Sequence, residues 1–99
     1  MSSVYQNEHV VAFPDLHPQA PTHVLIVPRQ HVGSLTDLDD ASLAGELLLA
    51  VGEVARRGGF ADGGFRTIIN TGEEGGQTVP HLHLHLLAGR KFAEAALGG

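Results

Sequence analysis

The chain has 99 residues, enough for a single domain over 1–99 with a modest core. Six Lys and Arg against eleven Asp and Glu leave a formal charge of −5, which argues against a nucleic-acid surface, where affinity comes from clustered cations. The absence of cysteine excludes disulfides and thiolate zinc sites, no apolar run approaches the roughly 20 residues of a membrane helix, and "MSSVYQNEHV" lacks the basic-then-apolar order of a secretory leader, so a cytoplasmic protein with no membrane contact is expected.

"VYQN" and "HVVAF" read as two short strands around a turn near Asn7-Glu8. "PDLHPQAP", with three prolines, is a loop. The nearly continuous apolar run from Thr22 to Val27 is a third strand covered on both faces, and Pro28 ends it. Then the period changes. Leu38, Leu43, Leu47, Ala50, Val51 and Val54 recur at helical spacing, so a helix is expected over about Asp40 to Arg57. Acidic residues near its start, Arg56 and Arg57 near its end, and Gly58-Gly59 beyond suit the helix dipole and a glycine cap. A fourth strand spans Phe65 to Asn70, "TGEEGGQTVP" is a glycine-rich loop, and "HLHLHLLAG" is the fifth strand. The tail "RKFAEAALGG" reads as a helical turn or a frayed end. These elements add up to an α+β fold, a mostly antiparallel five-stranded sheet with one long helix packed on it.

The stretch Pro80 to Leu87, "PHLHLHLL", carries three of the seven histidines in strict alternation with leucine. On a strand, Leu82, Leu84 and Leu86 share one face, beneath the helix, and His81, His83 and His85 share the other. Adjacent members of that row lie roughly 6.5–7 Å apart and the outer two about 13 Å. Three readings compete. The first is a polar face that happens to be histidine. The second is a metal module using two neighbouring strand histidines with His23 or His31, since the whole row is too long to share one ion. The third is chemistry on an anion, with imidazole as nucleophile and hydrogen-bond donor. The glycine loop that opens into the strand offers close backbone approach beside that nucleophile, which suits phosphate better than metal.

Taken together, these segments resemble the histidine triad (HIT) family, and within it the HINT branch of nucleoside phosphoramidate hydrolases. The resemblance rests on "HLHLHLL", on "GGQTVPHLHLHLLAGR" around it, on "INTGEEGGQ" before it and on "AFPDLHPQAPTHVLIVPRQH" upstream, all in the family's order from about Tyr5 to Arg90. It implies a hydrolase that needs no cofactor and acts on a purine nucleotide whose α-phosphate carries a leaving group. His83 matches the histidine that attacks phosphorus, with its Nδ1 proton held by the carbonyl of His81. His85 matches the donor to phosphate oxygen. His23 and His31 match supporting histidines for orientation or proton handling. Asn70, Gly76, Gln77 and Thr78 match the phosphate and leaving-group side. Asp15 matches the ribose ligand, and Phe13 and Leu16 match the base lining. The family's dimers imply a homodimer, with the leucine-rich helix covering both sheet and partner. An adaptor that binds AMP without turnover is a further alternative. HINT-branch chains begin with an additional helix and strand; "MSSVYQNEHV" lacks them, so the base side is expected to be more open. His9 and His17 find no match, and Arg90 and Lys91 read as solvated charges.

Overall fold

The computed structural model describes residues 3–93. Strand β1 (Tyr5–Gln6) and strand β2 (Val10–Pro14) form a hairpin. Its turn is tied by Asn7, whose side-chain oxygen accepts the main-chain N–H of His9 and of Val10. After the proline loop come β3 (Thr22–Pro28), a 3-10 turn over Leu35–Asp37, helix α1 (Ala41–Gly58), β4 (Arg66–Ile68) and β5 (Leu84–Ala88). All neighbouring strands run antiparallel, in the order β1-β2-β3-β5-β4.

Local chemistry bounds the helix where the sequence says it should. The carboxylate of Asp40 accepts the N–H groups of Ser42 and Leu43, a cap worth about 1 kcal/mol. Gly59 closes the other end at φ +80°, a left-handed conformation that favours glycine. Arg56 and Arg57 sit in the last turn beside the exposed carbonyls and both pair with Glu53.

One face of the sheet and one stripe of α1 make the core. Val10, Ala12, Val24, Ile26, Leu82, Leu84 and Leu86 meet Leu43, Leu47, Ala50, Val51 and Val54, all buried. The alternation of "HLHLHLL" is the cause: Leu82, Leu84 and Leu86 enter the core, and His81, His83 and His85 are left half-buried on the other side. Shortening Leu84 or Leu86 to alanine would cost about 2–5 kcal/mol. The opposite face carries Phe13, Leu25 and His85 in one paired row and His23 beside Leu87 in the next.

Two strands are shorter than their patterns suggest. The β5 ladder begins at Leu84 rather than His81. Continuing the register would set Leu82 against Pro28, which has no N–H to give; the N–H of Leu82 goes instead to the carbonyl of Val32, 2.7 Å away. β4 keeps only Arg66–Ile68 of the expected Phe65–Asn70. Phe65 leaves the sheet to meet Phe60 edge-on at 6.3 Å, and Ile69 packs on the core. From Glu94 on, the tail read as a helical turn or frayed end lies outside the described residues.

Candidate active site

The central imidazole is oriented by its own strand. Nδ1 of His83 lies 2.7 Å from the carbonyl oxygen of His81. A carbonyl only accepts, so Nδ1 carries the proton and Nε2 keeps its lone pair. Among the described residues Nε2 takes no protein partner, and the ring is half-buried on the helix-free face. The structure thus supplies a bare ring nitrogen able to act as a nucleophile.

The ring of His85 stands 5.0 Å from that of His83, at 69°. The two converge more closely than the 6.5–7 Å repeat of a strand because the rings lean together. Strand β3 brings His23 alongside, with Nε2 2.9 Å from Nδ1 of His85 and ring centres 5.2 Å apart. His23 is 6% exposed, the one buried polar side chain of the described core. Its Nδ1 accepts the main-chain N–H of Gln19 at 3.0 Å. Asp15, at the end of β2, places Oδ2 3.4 Å from Nε2 of His23, while its Oδ1 accepts the N–H of His17. Burial holds the pKa of His85 below the ordinary imidazole value, and positive charge on His83 and His23 would push it lower; Asp15 opposes. Burial likewise lowers His23, again against Asp15.

His81 and His31 lie apart from this group, so the row is split. Their rings stack 5.1 Å apart at 18°, with the two Nδ1 atoms 3.2 Å from each other. Nε2 of His81 faces the carbonyl of Pro28 at 3.2 Å. Of the residues matched to the phosphate side, Asn70 and Gln77 work inside the glycine loop. Asn70 donates to the carbonyl of Gly75. Gln77 accepts from the N–H of Gly72 and donates to the carbonyls of Gly33 and Val79. The main-chain N–H groups of Gly76 and Gln77 turn inward to Glu73 and Gly72. A Cβ on Gly75 would run into the carbonyl oxygen of Thr71, so this turn requires glycine. Thr78 is exposed, and its hydroxyl has no partner among the described residues.

One cleft reaches the edge of the His23–His85 group and another opens on the glycine loop. The first, about 590 Å³, opens at Asp15 and His23 and runs to Val54 and Phe60; the other, about 610 Å³, opens at Gln77 and Thr78. Phe13 stands on the helix-free face opposite Leu25, and Leu16 projects into solvent, 74% exposed. Sequence reasoning missed Gln19 and the carbonyl of Pro28. Both act through the main chain, which leaves no side-chain signal to read.

A metal reading gathers a different set from the one expected. Asp15, His23 and His85 offer ligand atoms within 4.8 Å of one another, one strand histidine rather than two. Their chemistry does not fit. An imidazole that binds metal through Nε2 carries its proton on Nδ1 and donates it to an acceptor. On His23 that position faces the N–H of Gln19, a donor.

A family model for the HIT domain matches residues 1–92. The chain is 42% identical over 89 residues to the purine nucleoside phosphoramidase of Escherichia coli, covering 88% of this chain and 75% of that one. A histidine triad protein from Clostridium difficile has a TM-score of 0.89 at 42% identity, over 93% of this chain and 82% of that one. A HIT family hydrolase from Legionella pneumophila has a TM-score of 0.88 at 35% identity, over 95% and 88% of the two chains. With that agreement over nearly the whole length, and with the alternating histidines on the helix-free face, the chain belongs to the HIT domain family.

Proposed function

We propose that this chain hydrolyses purine nucleoside 5′-phosphoramidates, or nucleotides with a similar leaving group on the α-phosphate, through a nucleotidyl–His83 intermediate. The observation that carries the reading is the 2.7 Å bond from Nδ1–H of His83 to the carbonyl of His81, which leaves Nε2 bare on the helix-free face. Its Escherichia coli relative, named for purine nucleoside phosphoramidase activity, supports the substrate class. In the first step Nε2 bonds to phosphorus while the phosphorus–nitrogen bond of the substrate breaks, and the amine leaves with a proton taken up from solvent. In the second, water bonds to phosphorus and gives up a proton to solvent, the phosphorus–Nε2 bond breaks to return neutral His83, and AMP departs. His85 donates to a phosphate oxygen as charge builds there. Asp15 takes the ribose hydroxyls, with the base against Phe13 and Leu16. The leaving group lies toward Thr78. His81 contributes its carbonyl, and His31 supports His81.

A cytoplasmic homodimer belongs to the same proposal. Leu48 and Leu49 are 61% and 70% exposed on α1, and Gly45 and Gly52 flank them on the same face. A second copy of the helix would cover them at close approach.

Purified protein incubated with adenosine 5′-phosphoramidate should release AMP, and His83→Ala should lower the rate at least a thousandfold, a rough bound for loss of a nucleophile, with an unchanged circular dichroism spectrum. Undiminished turnover in the variant would overturn the assignment. AMP binding without any product would favour the adaptor reading.

A further inference from the structure

We propose that His23 is a positioning residue that holds His85 neutral with its single proton on Nε2, and that the main-chain N–H of Gln19 sets this arrangement. The role in turnover rests on the proposed hydrolysis; the proton positions stand without it.

The argument follows donors and acceptors along one line. The N–H of Gln19 can only donate, so Nδ1 of His23, 3.0 Å away, is bare. A neutral His23 therefore carries its proton on Nε2. A second neighbour agrees: the Asp15 carboxylate, 3.4 Å from Nε2, accepts and would repel a lone pair there. The same Nε2–H points at Nδ1 of His85 across 2.9 Å, so that nitrogen must accept. The proton of His85 is left on Nε2, which has no protein partner among the described residues and is the donor available to a phosphate oxygen.

The other arrangements fail on this geometry. A proton on Nδ1 of His85 would force the proton of His23 onto Nδ1, head-on to the N–H of Gln19. An imidazolium at His85 would set two N–H groups against each other over 2.9 Å. The titratable groups packed around His85 are Asp15 just beyond β2, His23 from β3 and His83 just ahead of β5; from β4 its paired neighbour is Ile68. Asp15 is the single anion among them, and its carboxylate sits 3.4 Å from Nε2 of His23, the nitrogen that meets His85, where it favours a proton on His23. Burial favours the neutral form of both rings. His85 thus enters the reaction as an uncharged, aimed donor rather than as a stored positive charge.

Long-range ¹H–¹⁵N correlation spectra of the ligand-free, ¹⁵N-labelled full chain at pH 7.5 read these protons directly. His23 and His85 should both show a protonated Nε2 and a bare Nδ1. A protonated Nδ1 on either ring overturns the proposal. In His23→Leu the spectrum of His85 should become a mixture of tautomers, and the kcat for AMP release should fall roughly tenfold or more with KM nearly unchanged. His23→Gln, whose amide offers an acceptor and a donor, should restore both. If His85 keeps a pure Nε2–H spectrum in folded His23→Leu, the positioning role is refuted. A wild-type protein with the expected spectrum and no AMP release refutes the hydrolase and leaves the tautomers standing.

Discussion

Two histidine pairs sit on this small fold, and they look alike until their surroundings are compared. His23 and His85 meet nitrogen to nitrogen at 2.9 Å, His31 and His81 at 3.2 Å. Each pair joins a residue of the upstream segment to one of "HLHLH", and in each a main-chain group fixes one ring: the N–H of Gln19 for His23, the carbonyl of Pro28 for His81. The difference is access to water. His31 is exposed, so water reaches its ring. His23 is 6% exposed, and it can gain a second ring proton only by displacing the N–H of Gln19. A contact distance alone therefore does not define a working site. Burial and a main-chain partner of fixed polarity turn the first pair into an oriented donor.

That contrast can be broken by substitution. His23→Ala should cost about 2–4 kcal/mol in urea denaturation, because it opens a buried space and leaves the N–H of Gln19 and Nδ1 of His85 without partners. Equal losses from His23→Ala and His31→Ala would erase the distinction.

A pH series sharpens it. The pKa values of His23 and His85 are lowered in the folded protein, while unfolded imidazoles titrate near the usual value of about 6.5. Just below that pH the unfolded chain binds more protons than the folded one, so stability falls as pH drops from about 6.5 through the lower folded values, and it is fully retained above. Thermal melts between pH 8 and pH 5 should show the midpoint falling on the acid side. His85→Gln should flatten that fall. The smallest effect belongs to the exposed pair: His31→Ala should change stability by less than about 1 kcal/mol in the same urea titration.

Much of the fold was legible because it depends on local rules. The helix expected over Asp40 to Arg57 runs over Ala41–Gly58, with Asp40 as its cap and Gly59 closing it. The leucines of the alternating strand are buried as the pleat requires. The missed details are long-range. β5 starts late because of Pro28, a residue of another strand. Gln77, matched to the phosphate side, spends its amide on the loop and on Gly33, 44 residues away. Arg66 of β4 lies 5.0 Å from the ring of Phe92, a contact across 26 residues that no local pattern announces.

By itself the amino-acid order determined which side chains face inward, where the helix begins and ends, and that one strand carries a row of imidazoles, because periodicity and capping act over a few residues. Only the tertiary structure decided which imidazoles meet and where their protons sit. His23 reaches His85 across 62 residues of chain, and the group that orients it is a backbone amide, which every residue but proline possesses.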